Sequence, residues 1–350
     1  MQYDMKKSVV AMVLVTVFMS CAKQEEAPYV AVDPVFEKPS NFPEPHYDLA
    51  SNPITKAGFD LGKKLFYDGK LASDGVVSCA FCHQQKFAFT HHGHPLSHGV
   101  DNRSGKRNSQ PIQNLAFQKQ FSWDGAAFHL DMFPIIPLTN PVEMDETVGN
   151  VLKKLAADAT YQKMFAEAFK DGRVNADNTF KAMSQFMLMM VSANAKYDKY
   201  VRKEENVTLT AEESRGFTVF KSKCSSCHAT DLFTDDSFRN NGLPVDPAVD
   251  DLGRMTVTLV PEDRYKFKVP SLRNVALTAP YMHDGRFGSL ESVLNFYTDG
   301  MVTSATIDAQ LKRPDGTVGI SMTTQEKQDV IAFLKTLTDE EFIKDKRFAE

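Results

Sequence analysis

The chain has 350 residues, 42% of them apolar, with a formal net charge of −5 at pH 7. That length allows two domains with real cores, and the apolar share is ordinary for a globular protein. The acidic balance, with no basic run, argues against nucleic acid as a partner.

The chain opens with Lys6 and Lys7, an apolar run from Val9 to Phe18, and Ser20-Cys21. This reads as a signal peptide over 1–21, too short for a transmembrane span. Cys21 followed by Ala-Lys-Gln-Glu-Glu-Ala-Pro resembles a bacterial lipoprotein signal, so a lipid anchor on Cys21 is expected; the alternative is ordinary cleavage to a soluble exported protein. Either route leads to the periplasm of a Gram-negative bacterium. Over 22–50, Glu25, Glu26, Pro28, Pro34, Pro39, Pro43 and Pro45 predict an extended linker.

Thr55 then caps a predicted helix carrying Phe59, Leu61, Leu65 and Phe66, which leads into Cys79-Ala80-Phe81-Cys82-His83. Further on, Thr210 and Glu213 form a capping box before a helix with Phe217 and Phe220, which leads into Cys224-Ser225-Ser226-Cys227-His228. Both motifs have the form C-x-x-C-H, the attachment signature of a c-type haem. The cysteines form thioethers, and the histidine is the proximal iron ligand. With five Cys and nine His in the chain, chance supplies roughly 0.002 such motifs. Zinc and disulfides are the competing uses of these cysteines. Zinc gains nothing from a histidine directly after the second Cys in both copies, and no thioredoxin-like pattern surrounds either pair.

Between the motifs, a Met-rich helix around Phe180, Met183, Met187 and Met190 is expected to fill a core. Residues 240–265, rich in Gly, Pro and Asp, predict a long irregular loop. A last helix opens at Thr323 and Glu326 and carries Val330, Ile331, Phe333, Leu334 and Leu337. The fold expected is mainly α, with two cytochrome c-like helical domains at 51–205 and 206–345, each with one covalent haem. Asn140-Pro141-Val142-Glu143-Met144 sets a carboxylate in a stiff apolar loop, where desolvation would raise its pKa and suit it to shuttle protons. A surface acid is the plainer reading of Glu143 on composition alone.

Lys106-Arg107-Asn108-Ser109-Gln110-Pro111, Phe121-Ser122-Trp123-Asp124-Gly125 and Pro137 to Met144 resemble the bacterial di-haem cytochrome c peroxidases, a family that includes the MauG-type enzymes. So do Pro270 to Val275 and Ala279-Pro280-Tyr281-Met282-His283-Asp284-Gly285-Arg286-Phe287. The resemblance runs from about Ala57 to Leu337. It implies a peroxidatic haem held by His83 and an electron-transfer haem held by His228. It makes Glu143 the catalytic glutamate and Trp123 the electron conduit between haems. It implies a calcium ion bound by the side chain of Asn108 and the carbonyls of Thr278 and Pro280. Phe133 stands where many members have glutamine. His98, among the loop histidines His91, His92, His94 and His98, is the candidate releasable ligand of the first iron. Counting fourteen residues from His283 reaches Tyr297, the candidate distal ligand of the second, with Met282 and Met301 as nearby alternatives. The activity implied is reduction of hydrogen peroxide to water with electrons from a small redox protein, a cytochrome c or a cupredoxin, in a monomer or a homodimer. MauG-type oxidation of a protein side chain and non-catalytic electron transfer are the alternatives.

Overall fold

The computed structural model describes residues 35–350. The signal segment and Cys21 lie outside the described residues. The described chain is helix-rich, and its only sheet is a two-stranded antiparallel pair, β1 (Phe238–Arg239) with β2 (Phe267–Lys268). Among the described residues no helix is long and apolar enough to cross a membrane.

The first half is built on α1 (Lys56–Tyr67), the single turn α2 (Cys79–Cys82), α3 (Ile135–Thr139), α4 (Val148–Ala156), α5 (Ala159–Ala168) and α6 (Ala176–Leu188). Thr55 caps α1 by accepting a hydrogen bond from the Gly58 amide, as its sequence position predicts. The apolar stripe of α1 puts Phe59 and Phe66 on Phe186 of α6, with ring centroids 5.4 and 5.2 Å apart. Met183 and Met187 are buried in the same core.

The second half repeats this plan. After α7 (Lys196–Val201) comes α8 (Ala211–Lys223), opened by a Thr210/Glu213 capping box. Then come α9 (Met255–Thr258), α10 (Leu290–Asn295) and α11 (Thr324–Lys335), the last opened by a Thr323/Glu326 capping box. Phe217 of α8 stacks on Phe333 of α11 at 4.9 Å. In both halves a glycine sits at the helix crossing. A Cβ at Gly62 would lie 1.9 Å from the Ala182 carbonyl oxygen, and one at Gly216 1.9 Å from that of Asp329. Only a residue without a side chain permits backbones that close.

Two expectations need correction. The linker predicted over 22–50 is not extended in its described part: Phe42 and Tyr47 are buried in the first core, and Phe42 packs edge-on against Phe117. Proline density suggested an open strand, but burial of these aromatic rings outweighs it. The chain end also crosses back. Phe342 and Phe348 lie in the first core, and Tyr67 donates a hydrogen bond to the Phe348 carbonyl at 2.5 Å. A buried polar seam joins the halves. Asn274 donates to Gln113 at 2.5 Å and to Ser192 at 2.9 Å, and Arg273 makes a fully buried ion pair with Asp198.

Candidate functional site

The two C-x-x-C-H segments are held in nearly the same way. In each, the histidine amide donates to the carbonyl of the first cysteine at 3.0 Å, closing one helical turn that brings both thiols and the imidazole to one side. His83 Nδ1 then lies 2.7 Å from the Phe89 carbonyl, and His228 Nδ1 lies 3.0 Å from the Phe233 carbonyl. A carbonyl can only accept, so Nδ1 carries the proton and Nε2 keeps its lone pair for a metal. Both phenylalanines have positive φ, 59° and 55°, which aims their carbonyls back at the imidazoles. Burial pushes the His83 pKa down to about 4, against the pull of the Phe89 hydrogen bond, and lowers that of His228. The imidazoles therefore stay neutral, as iron ligation requires. Burial also raises the Cys79, Cys82 and Cys224 thiols to about 12, so they are not free thiolates poised for redox exchange.

The space beside the first attachment turn is a narrow cleft of about 90 Å³, open to solvent. Cys79, Cys82 and His83 form one wall; Phe66, Ile112, Phe133, Pro137, Met183 and Met187 supply apolar surface; Glu143 and His98 complete the lining. This donor set and apolar slot fit a covalent haem. Glu143 is half-buried, and desolvation raises its pKa, partly offset by the hydrogen bond its Oε1 accepts from Asn140 Nδ2 at 2.7 Å. His98 is half-buried, and its Nδ1 lies 3.2 Å from Ser104 Oγ. His94 and His91 extend from it as a column, with centroids 4.7 and 4.3 Å apart.

On the second side, Tyr297 sits in a π-helical turn, Phe296–Gly300, that continues α10. Such turns redirect a side chain and often mark functional positions. Its hydroxyl lies 3.2 Å from Asn241 Nδ2, and the Met282 sulfur lies 3.7 Å from the same nitrogen. Both candidate ligands thus converge on one amide. Burial raises the Tyr297 pKa, moderated by that amide and reinforced by the nearby Cys227 and Cys224 thiols. Met301 is buried in the same cluster. Asn241 was not singled out from the sequence, and no spacing rule points to it.

Trp123 joins the halves. Its Nε1 donates to the Asn108 carbonyl at 2.8 Å, and its own carbonyl accepts from the Lys268 amide at 2.7 Å. The Asn108 amide donates to the His283 carbonyl at 2.7 Å. Asn108 Nδ2 donates to the Pro95 carbonyl at 2.8 Å; among the described residues neither its Oδ1 nor the Thr278 and Pro280 carbonyls accept a hydrogen bond. Three such oxygens suit a hard cation.

A mainly helical chain with two matched haem-attachment turns defines a di-haem c-type cytochrome. The comparisons narrow this. The family model for di-haem cytochrome c peroxidase matches residues 56–206. The methylamine utilization protein MauG of Methylorubrum extorquens is 36% identical over 310 residues, covering 87% of this chain and 84% of that protein. The cytochrome c551 peroxidase of Nitrosomonas europaea is 34% identical over 290 residues, covering 81% and 80%. A crystal structure of a MauG-like protein associated with microbial copper homeostasis superposes with a TM-score of 0.79 at 32% identity, covering 90% of this chain and 98% of that one. This chain belongs to the di-haem cytochrome c peroxidase family, whose members include both MauG and the peroxidases.

Proposed function

We propose that the protein is an exported di-haem peroxidase that reduces hydrogen peroxide to water with electrons from a small redox protein. The observation that carries this reading is Glu143, a half-buried carboxylate with a raised pKa in the same cleft as Cys79, Cys82 and His83. Electron transfer alone needs no such group, and withdrawing a carboxylate from water costs folding free energy. Two haem c groups would be held through Cys79, Cys82 and His83 and through Cys224, Cys227 and His228, and when bound would supply the redox-active iron for peroxide reduction. Glu143 takes the proton from one peroxide oxygen and delivers it to the other, which leaves as water. His98, on the same cleft, would be the residue that closes or opens access to the first iron once the haem is bound. Trp123, bonded to both halves, carries electrons between them. A calcium ion held by Asn108 Oδ1 and the Thr278 and Pro280 carbonyls keeps that junction rigid. The protein acts in the periplasm, tethered through a lipid on Cys21.

MauG-type oxidation of a protein side chain is the second reading. What favours it is Tyr297, whose hydroxyl hydrogen-bonds Asn241 and whose ionisation the second pair of thiols opposes. A phenolic oxygen stabilises higher iron oxidation states than a thioether does.

Stopped-flow spectra of the reduced, calcium-loaded protein mixed with peroxide test these readings. Rapid return to the starting spectrum only when reduced cytochrome c is present supports the peroxidase. A long-lived oxidised product that ignores cytochrome c supports the MauG-type reaction, and no spectral response rules out both.

A further inference from the structure

A chain of contacts leads from the second attachment turn to a buried phenol that the proposed reaction does not use. His228 Nδ1 lies 3.0 Å from the Phe233 carbonyl, to which it donates. The Phe233 ring meets the Tyr197 ring edge-on, with centroids 5.0 Å apart, and the Tyr197 hydroxyl donates to Asp231 Oδ1 at 2.7 Å. Asp231 follows His228 by three residues, so the segment that carries the proximal ligand also carries the phenol's partner. Tyr197, on α7, is only 5% exposed, with Phe217, Phe233 and Phe333 around its ring. Its surroundings are therefore complete without a haem.

The partner decides what this phenol can do. A phenol that loses an electron becomes a strong acid, and it resists oxidation when its proton has nowhere to go. A carboxylate already hydrogen-bonded to the hydroxyl removes that obstacle, because electron and proton then leave together. The charged groups beside Tyr197, Arg273 and Asp198, form a fully buried ion pair and add no net charge. Three other tyrosines each lack part of this arrangement. Tyr67 donates to the Phe348 carbonyl, which takes up no proton. Tyr161 donates to Asp68 at 2.7 Å, but the Lys64 and Lys70 ammonium groups lie 5.3 and 5.6 Å from its ring and oppose loss of an electron. Tyr47 donates to Asp131 at 2.8 Å, yet its ring packs on His129 and not on Phe89 or Phe233, whose carbonyls hold the proximal histidines.

We infer that Tyr197 is a redox-active residue that stores one oxidising equivalent on the second side of the molecule when no electron donor is present; this rests on the peroxide-reducing reading above. Hydrogen peroxide is the oxidant. Tyr197 gives one electron to the oxidised second haem and its phenolic proton to Asp231 Oδ1. One O–H bond breaks on the phenol and one forms on the carboxylate, leaving a neutral phenoxyl radical beside a neutral carboxylic acid. When a reduced donor arrives, one electron returns to Tyr197 and Asp231 gives the proton back.

The test uses the ferric holoprotein, mixed with an equimolar amount of hydrogen peroxide without a donor and freeze-quenched for electron paramagnetic resonance. Wild type should show a tyrosyl radical, identified by narrowing of the signal when the protein is made with ring-deuterated tyrosine. Tyr197→Phe should lose this signal, and Tyr67→Phe should keep it. Asp231→Asn keeps the phenol without the base, and should form the radical about a hundredfold or more slowly, the usual worth of a positioned proton acceptor. Asp231→Glu should restore much of the rate. Haem content and turnover with reduced cytochrome c should be unchanged in all these variants, and reduced cytochrome c added after the peroxide should erase the wild-type signal. A wild-type haem spectrum that responds to peroxide without any tyrosyl signal overturns the inference. So does a signal that survives Tyr197→Phe, or one that Asp231→Asn forms as fast as wild type; if Tyr197→Phe does not fold, the two Asp231 variants decide. A wild-type haem spectrum that does not respond to peroxide at all instead defeats the peroxidase reading itself.

Discussion

The two attachment turns are alike on the proximal side and unlike on the distal side. Both close His N–H to Cys C=O at 3.0 Å, and both tie Nδ1 to a phenylalanine carbonyl five or six residues later. Across the cleft from the first lie a carboxylate and a histidine, both half-buried. Opposite the second, a tyrosine and a methionine share one asparagine amide. The two turns share a proximal frame, and on the function proposed above the distal residues would divide the work, one side moving protons and the other setting a potential.

The broadest way to break this comparison is to remove one attachment. Cys79→Ala with Cys82→Ala should leave half the covalent haem after acid–acetone extraction and abolish peroxide turnover. Cys224→Ala with Cys227→Ala should also leave half, and the remaining haem should still react once with peroxide. Identical behaviour of the two double variants would dissolve the division of labour.

Glu143→Gln should keep both haems and lower peroxide turnover by about a hundredfold or more, the usual worth of acid–base assistance. Because burial raises its pKa, the wild-type rate should fall off on the acid side at a pH above that of an ordinary glutamate. The stability effect has the opposite sign to that of a paired carboxylate. The folded state binds the Glu143 proton more tightly than the unfolded chain, so the penalty is absent at low pH and grows as pH rises through the unfolded value. Thermal melts should therefore find Glu143→Gln at least as stable as wild type at pH 7, with the difference vanishing in acid.

Tyr297 sharpens the second side. If its oxygen ligates the iron, the near-infrared methionine-to-iron band should be absent from the oxidised protein, and Tyr297→Phe should raise the potential of that haem. A band present in wild type and lost in Met282→Ala would assign the ligand to the methionine.

The helix crossings offer the smallest effect. Gly216→Ala should cost about 1–3 kcal/mol by overpacking against the Asp329 carbonyl, and Gly62→Ala a similar amount against Ala182. Chemical denaturation followed at each haem's absorbance should show the substitution felt first in its own half. Equal loss at both haems would mean that the polar seam of Gln113, Ser192 and Asn274 couples the halves into one unfolding unit.

Local chemistry was legible in the chain: the attachment motifs, the caps at Thr55, Thr210 and Thr323, the core methionines of α6, and the apolar stripes of α1 and α11. Each depends on residues within a turn or two of one another, where spacing alone dictates which groups meet. The packing of Phe42 and Tyr47, the return of Phe342 and Phe348 to the first core, and the meeting of Gln113 with Asn274 were not legible. Those contacts join residues far apart in sequence, and no periodicity encodes a partner more than a hundred positions away. Asn241 shows the limit most clearly. Its amide is one polar group in a Gly- and Pro-rich loop, and only the tertiary fold sets it against Tyr297 and Met282, because that loop is held by the walls it packs against rather than by its own residues.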